Sequence, residues 1–337
     1  MTEQQPITVG TATAAPGTVA RGVIEVAQRP AGGSVSIPVI VVNGSRPGPT
    51  LWIDGAIHGD EPEGPLSLLK LVAQIDPQDL SGCLVAVPVM NVGAFEAAER
   101  GNPADTFSYD MNRIYPGRAD GYYTDRVAWA HFQAMKDVAD MEISIHSGGG
   151  HSYLSETIFY ADGDRAALEL AQAMGRGWKL ILKSFLPKGS PPAVMHDAQK
   201  AAITVELGGR CRTLPAEIDR VAEILCNAFL NVMRHYAMID GEPAYESTWW
   251  TGKQHALLAG ASGLYIANPD IQFQQPLKKG DCLATIVDLY GDELAQVTAP
   301  VDGMIFGLRS LNTVQMGDWC CFYAEIEGEI EGLMQVG

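Results

Sequence analysis

The chain has 337 residues, enough for two unequal domains, and its 47% of hydrophobic residues can fill a sizeable core. Its 40 acidic and 23 basic side chains leave a formal charge of −17, which repels phosphate backbones and argues against nucleic acid as a partner. No stretch reaches the ~20 apolar residues of a membrane span. The opening MTEQQPITVG has neither a basic start nor an apolar run, so a cytoplasmic protein is expected. Six cysteines (Cys83, Cys211, Cys226, Cys282, Cys320 and Cys321) form no C-x-x-C pair and read as reduced, buried small residues.

In chain order, residues 19–26 and 34–42 are short β-like runs, and Ser45-Arg46-Pro47-Gly48-Pro49 delivers the chain to residues 51–65, LWIDGAIHGDEPEGP. Leu51-Trp52-Ile53 reads as a buried strand, Pro62 and Gly64 as breakers, and residues 66–72 (LSLLKLV) as a covering helix. In open α/β sheets ligands bind outside the carboxyl ends of strands. His58 and Glu61 stand at that point, three residues apart. Imidazole nitrogen and carboxylate oxygen suit zinc, and two such ligands plus one distant one leave a position for water.

Residues 84–89 (LVAVPV) give a second buried strand. Residues 99–117 are polar, non-periodic and rich in turn formers, and so long a loop inside a compact domain is usually functional. Residues 125–138 have helical spacing, and residues 141–145 (MEISI) form a strand that ends at His146, ahead of three glycines. A helix is expected over 166–174. Residues 201–207 (AAITVEL) make a strand carrying Glu206, and residues 216–236 are the clearest amphipathic helix. Strands alternating with helices predict an α/β fold with a mainly parallel or mixed sheet.

After about Tyr245 only short β-like runs remain, so the chain divides into a catalytic domain, 1–245, and a C-terminal β domain, 246–337. Residues 277–283 (LKKGDCL) are echoed in residues 314–320 (VQMGDWC), which suggests a small barrel with internal pseudo-symmetry. This resembles the lipoyl/biotinyl carrier barrel, yet no lysine follows Lys279 to serve as a swinging arm. Packing against the first domain and narrowing access to the site is the expected role.

Three strand ends therefore present polar groups: His58 with Glu61, His146, and Glu206. Together they supply two imidazoles, a liganding carboxylate and a spare carboxylate, the set that metal-assisted hydrolysis requires. Each has a plainer reading alone. His-x-x-Glu occurs on surface turns, His146 could be a satisfied core histidine, and Glu206 could accept N–H bonds from the Gly208-Gly209 turn.

The motifs Gly55-Ala56-Ile57-His58-Gly59-Asp60-Glu61, Asp110-Met111-Asn112-Arg113 with Tyr115-Pro116-Gly117, Ile145-His146-Ser147-Gly148 and Val205-Glu206-Leu207-Gly208-Gly209 occur in one order. As a set they resemble the succinylglutamate desuccinylase/aspartoacylase family, relatives of the zinc carboxypeptidases, over most of residues 45–330. The resemblance implies a zinc carboxypeptidase-like mixed sheet flanked by helices, with a smaller C-terminal all-β barrel-like domain. It implies one Zn2+ per chain on His58, Glu61 and His146, with Glu206 as general base and then acid. It also implies Asn112 and Arg113 as the clamp on a substrate carboxylate, and Arg100 beside the scissile carbonyl.

The chemistry agrees, since a guanidinium binds a carboxylate in bidentate fashion and a second can stabilise an oxyanion. Arg113 alone would otherwise read as a surface ion pair, and Asn112 as a turn former. The expected activity is removal of the acyl group from a small N-acyl amino acid; the alternative is a zinc carboxypeptidase acting on short peptides. A homo-oligomer is compatible with the sequence.

Two features depart from the family pattern: Ser144 stands where an acidic residue usually precedes the third ligand by two positions, and the loop from Arg100 to Asn112 is longer. Arg210 and Arg212 stand where further glycines are common; either could read a second substrate charge, and facing solvent is the slightly favoured reading. His151 is a candidate for the rim of the site. His131, His196, His235 and His255 lack motif context and read as structural.

Overall fold

The computed structural model describes residues 3–184, 188–210 and 215–333. A ribbon of β1 (Ile7–Val9) and β2 (Ala12–Ala14) leads into β3 (Thr18–Gln28), β4 (Ser34–Asn43) and β5 (Arg46–Asp54). Then come α1 (Glu63–Val72), β6 (Ser81–Val87), α2 (Val92–Ala97), a 3-10 turn at Met111–Arg113 and α3 (Tyr123–Met135). β7 (Met141–His146), β8 (Ser152–Ala161), α4 (Arg165–Ala173), β9 (Leu180–Ser184), α5 (Pro191–Asp197), β10 (Ala201–Gly208) and α6 (Pro215–His235) follow. The remainder is all strand among the described residues: β11 (Thr248–Leu258), β12 (Gly263–Ala267), β13 (Cys282–Val287), β14 (Glu293–Thr298), β15 (Gly303–Arg309), β16 (Thr313–Val314) and β17 (Trp319–Glu331).

The expected mixed sheet is present and has eleven strands, in the order β15-β17-β11-β9-β8-β10-β7-β5-β6-β4-β3. At its centre β6, β5, β7 and β10 run parallel. Period-two alternation sorts their side chains between two cores. Leu51, Ile53, Ile143, Ile145, Ile203 and Val205 enter the core covered by α1, α4 and α6. Trp52, Val85 and Ala202 point to the opposite core, beneath α3.

The strand-rich C-terminal region does not stand apart from this sheet. β11, β17 and β15 extend it beyond β9, and β15 also pairs with β8, so β8, β9, β11, β17 and β15 close into a ring. Leu154, Phe159, Leu182, Phe306 and Ala324 form one apolar cluster within it. A separate four-stranded sheet, β14-β13-β12-β16, covers Leu283, Ile286 and Tyr323.

Several boundaries differ from the sequence reading. α1 begins at Glu63 rather than at residue 66, because Gly64 and Pro65 occupy its first turn, where a missing N–H costs nothing. β8, β9, α2 and α5 escape the periodicity; the two helices are only six and seven residues long. No disulfide forms among the described residues, where Cys83, Cys226, Cys320 and Cys321 are buried thiols. Cys211 and Arg212 lie outside the described residues.

Candidate active site

β5 ends at Asp54, and the turn after it is pinned to the end of β6. Gly55 N donates to Val87 O (3.1 Å) and Asn91 N donates to Ala56 O (3.1 Å). Gly59 N donates to Glu99 O (2.9 Å), and a side chain at Gly59 would strike the Ala94 carbonyl at 2.0 Å. The turn thereby projects His58 and Glu61 over the sheet. β7, beside β5, ends at His146, and β10, beside β7, carries Glu206 in register with His146.

His58 Nδ1 lies 2.7 Å from Glu61 Oε1, and His146 Nδ1 lies 3.2 Å from Glu61 Oε2. The two rings are 5.0 Å apart, and one donor atom from each of the three residues falls within 4.8 Å of the others. All three side chains are buried. The trio expected from the sequence thus converges, although 85 residues separate Glu61 from His146 along the chain (146 − 61).

The surroundings fix protonation. Burial alone would push Glu61 up, but the two imidazoles hold its carboxylate well below the ordinary range. Burial lowers His146. His58 is raised, because Glu61 and Asp110 outweigh its burial. Its Nε2 sits 3.2 Å from Asp110 Oδ1. Asp110 Oδ2 accepts from Arg100 Nε (3.3 Å) and Nη2 (3.0 Å), while Oδ1 also accepts from Asn112 N (3.0 Å). Asp110 therefore joins the His58 turn to the loop carrying Arg100, Asn112 and Arg113. Its own carboxyl is held low by His58 and Arg100 against the effect of burial.

Glu206 behaves oppositely. Burial, and then the negative charge of Glu61, raise it well above the ordinary carboxyl value. Its Oε2 is buried and has no hydrogen-bond partner among the described residues. The plainer reading, acceptance from the Gly208-Gly209 turn, fails here, because Gly209 N donates to Glu63 Oε1 (2.7 Å) instead. Glu63 Oε2 accepts from Ser147 Oγ (2.9 Å), and Ser147 N donates to Glu61 (3.2 Å). Glu63 and Asp110 are the supporting residues that carried no assigned role in the sequence; an acid two places beyond Glu61, and one beginning the DMNR motif, were the available signals.

Arg100, Asn112, Arg113 and His151 all line one cavity of about 700 Å3 together with the trio and Glu206. Arg113 is exposed, and among the described residues its Nη1 donates to the Asn112 carbonyl (2.8 Å). Arg210 is exposed, and its guanidinium reaches the Ser310 carbonyl outside the cavity. His131 is buried against Tyr115 Oη (3.0 Å), while His196, His235 and His255 pair with Asp164, Glu169 and Glu325. Ser144, where an acid was expected, faces Asp54 across the β5/β7 pair, and both are fully buried.

Two imidazole nitrogens and an ionised carboxylate, converging in a buried pocket, fit the donor set of a divalent cation of the zinc type. A spare carboxyl of raised pKa beside them suits proton transfer.

A mixed α/β sheet carrying two imidazoles and two carboxylates of opposite pKa shift at its strand ends has the groups that hydrolytic chemistry uses. Residues 47–233 match the model of the succinylglutamate desuccinylase/aspartoacylase catalytic domain. The chain belongs to the succinylglutamate desuccinylase/aspartoacylase family. It is 27% identical over 304 residues to the N-alpha-acetyl-L-2,4-diaminobutyric acid deacetylase of Halomonas elongata, covering 87% of each chain. It is similar to the product-bound structure of the ectoine utilization protein EutE (DoeB) from Ruegeria pomeroyi, with TM-score 0.81 and 26% identity over 95% of this chain and 99% of that one. A succinylglutamate desuccinylase from Silicibacter matches with TM-score 0.80 and 26% identity, over 97% of this chain and 100% of that one.

Proposed function

We propose that the protein is a zinc-dependent deacylase that hydrolyses the amide of a small, carboxylate-bearing N-acyl amino acid, with one zinc ion on His58, Glu61 and His146. The observation that carries this reading is the convergence of those three donors beside Glu206, whose carboxyl is raised while that of Glu61 is lowered. Environments that push two neighbouring carboxyls apart assign them different roles, one as an anionic ligand and one as a proton carrier.

Zinc bound there would lower the pKa of water toward ~7 and polarise a carbonyl. Asn112 and Arg113 hold the substrate carboxylate and so place its amide over Glu206. Glu206 takes a proton from the attacking water and delivers it to the leaving nitrogen. A C–O bond forms as the C–N bond breaks, leaving a carboxylic acid and a free amine. Arg100, anchored by Asp110, stabilises the oxyanion that develops on the carbonyl oxygen. Asp110 keeps the His58 ring turned so that Nδ1 faces Glu61.

The similarity to deacylases supports amide rather than peptide substrates. The reading is tested by release of free amine from N-acetyl and N-succinyl derivatives of aspartate, glutamate and 2,4-diaminobutyrate, with and without a chelator. Chelator-sensitive release with one zinc per chain is expected. Cleavage of dipeptides alone, or activity indifferent to thorough metal removal, would refute it.

A further inference from the structure

The cavity does not end at the reacting groups. Across the sheet, the Asn112–Arg113 clamp is tied through Asp110 to His58 after β5, His146 follows on β7, and Glu206 on β10. The next strand is β8, where Phe159 stands in register with Thr204 of β10, and both line the cavity. Beyond β8 the ring of strands brings Phe306 of β15 and Phe322 and Trp319 of β17 onto the same cavity.

These four rings form a continuous chain: Phe159 to Phe306 at 5.9 Å, Phe306 to Phe322 at 5.9 Å, and Phe322 to Trp319 at 5.1 Å between centroids. Gly307 lets them close up, since a side chain there would strike Leu154 at 2.2 Å and Phe322 at 2.7 Å. Trp319 is nevertheless 45% exposed, so the outer end of the wall is an uncovered apolar surface inside the cleft.

Charge at this end is already matched. The Arg309 guanidinium donates to the Thr313 and Trp319 carbonyls and to Asp318 Oδ2 (3.0 Å), and Asp318 Oδ2 also accepts from Gln315 N (3.0 Å). Gln254, Ser152 and the exposed His151 are the other polar side chains that line the cavity near this end. The clamp end, by contrast, keeps Arg113 exposed and the Asn112 Oδ1 atom without a partner among the described residues. The cleft is thus polar on one side of Glu206 and aromatic on the other.

A substrate whose carboxylate rests on Asn112 and Arg113 has its amide over Glu206, and its acyl group then extends toward β8, β15 and β17. Resting on the deacylase reading, we propose that Trp319 and Phe322, backed by the buried rings of Phe306 and Phe159, form an acyl subsite for a bulky apolar group, aryl or branched alkyl, in place of acetyl or succinyl. A volume of about 700 Å3 for the whole cleft suits such a substrate, lying within the roughly 300–1000 Å3 that holds drug-sized ligands. Among the described residues, the Arg309 guanidinium at this end is already taken up by Asp318 and backbone carbonyls.

The test uses the zinc-loaded full chain and N-acetyl, N-succinyl, N-hexanoyl and N-phenylacetyl derivatives of aspartate, glutamate and 2,4-diaminobutyrate. Two quantities are read: kcat/KM for free-amine release, and Kd by calorimetry on the Glu206→Gln variant. The N-phenylacetyl compound should be preferred over N-acetyl by roughly tenfold or more in both, as filling an apolar pocket provides. Trp319→Ala, at a half-exposed position, and Phe322→Ala should each shrink that ratio several-fold, and Phe322→Leu should recover part of it. Preference for N-acetyl or N-succinyl, a ratio unchanged in both alanine variants, or no binding of the N-phenylacetyl compounds overturns the subsite. Cleavage of N-acetyl compounds without aryl preference would sink the subsite and leave the deacylase reading standing. Preferential aryl binding without cleavage of any derivative would do the reverse.

Discussion

Replacing Asp110 by Asn isolates the joint between the metal turn and the substrate loop. The Asp110 carboxylate faces His58 Nε2 on one oxygen and takes two bonds from Arg100 on the other, and its side chain is 24% exposed. The amide keeps the shape and can still accept from His58, but it loses the charge that raises the basicity of the ring and anchors Arg100. Partners of this kind typically contribute 10–100-fold to metal affinity, about 1.4–2.7 kcal/mol. Loss of the oxyanion anchor adds to the effect on turnover alone, by up to ~100-fold. Zinc affinity by competition with a chromogenic chelator should therefore fall ~10–100-fold, while kcat/KM at saturating zinc falls by a further, separate factor. Asp110→Ala should be worse on both counts. A variant that binds zinc as tightly as the parent and turns over at the parental rate would refute the assignment.

Glu206→Gln should retain zinc in a metal assay and lose ~100- to 10,000-fold in kcat; substantial retained turnover would remove Glu206 from the mechanism. Gly59→Ala should destabilise the fold by ~1–3 kcal/mol, read by urea unfolding, because the new methyl meets the Ala94 carbonyl rather than a movable side chain. Asp54 and Glu142 form a buried acid pair. Burial raises Asp54 to about 7 and, with Asp54 beside it, raises Glu142 as well. For an acid raised on folding, the folded state binds more protons between the unfolded and folded pKa values, so stability falls as pH rises through that interval, from ~4 to ~7. Asp54→Asn should consequently raise the melting temperature more at pH 7.5 than at pH 5; an equal change at both values would contradict the pair's protonation.

What could be read from the residues alone followed their local signals. Leu51-Trp52-Ile53, residues 141–145 and residues 201–207 are apolar because both faces of β5, β7 and β10 are covered, and each polar interruption at a strand end marked the site. β8 carries no such signal. Its SYLSETIFYA mixes polar and apolar residues because it leaves the central sheet to join the ring, where β15 pairs with it from more than 140 residues away. The aromatic wall was invisible for the same reason, since Phe159, Phe306 and Phe322 come together only through strand pairings that local periodicity does not encode. Register was equally out of reach. Ser144 looked like a missing acid, and only the β5/β7 alignment shows Asp54 opposite it.

The closure of β15 onto β8 also orders events in time. During synthesis, His58, Glu61, His146 and Glu206 all emerge well before Gly303–Arg309, so the reacting groups exist on a nascent chain whose cleft has one side missing. Until the last strands arrive, β9 lacks its β11 neighbour and β8 its β15 neighbour, leaving open edges that invite pairing with other chains. A truncation between residue 245 and Gly303, which removes β15, is therefore expected to yield aggregates on size-exclusion chromatography rather than a slower enzyme.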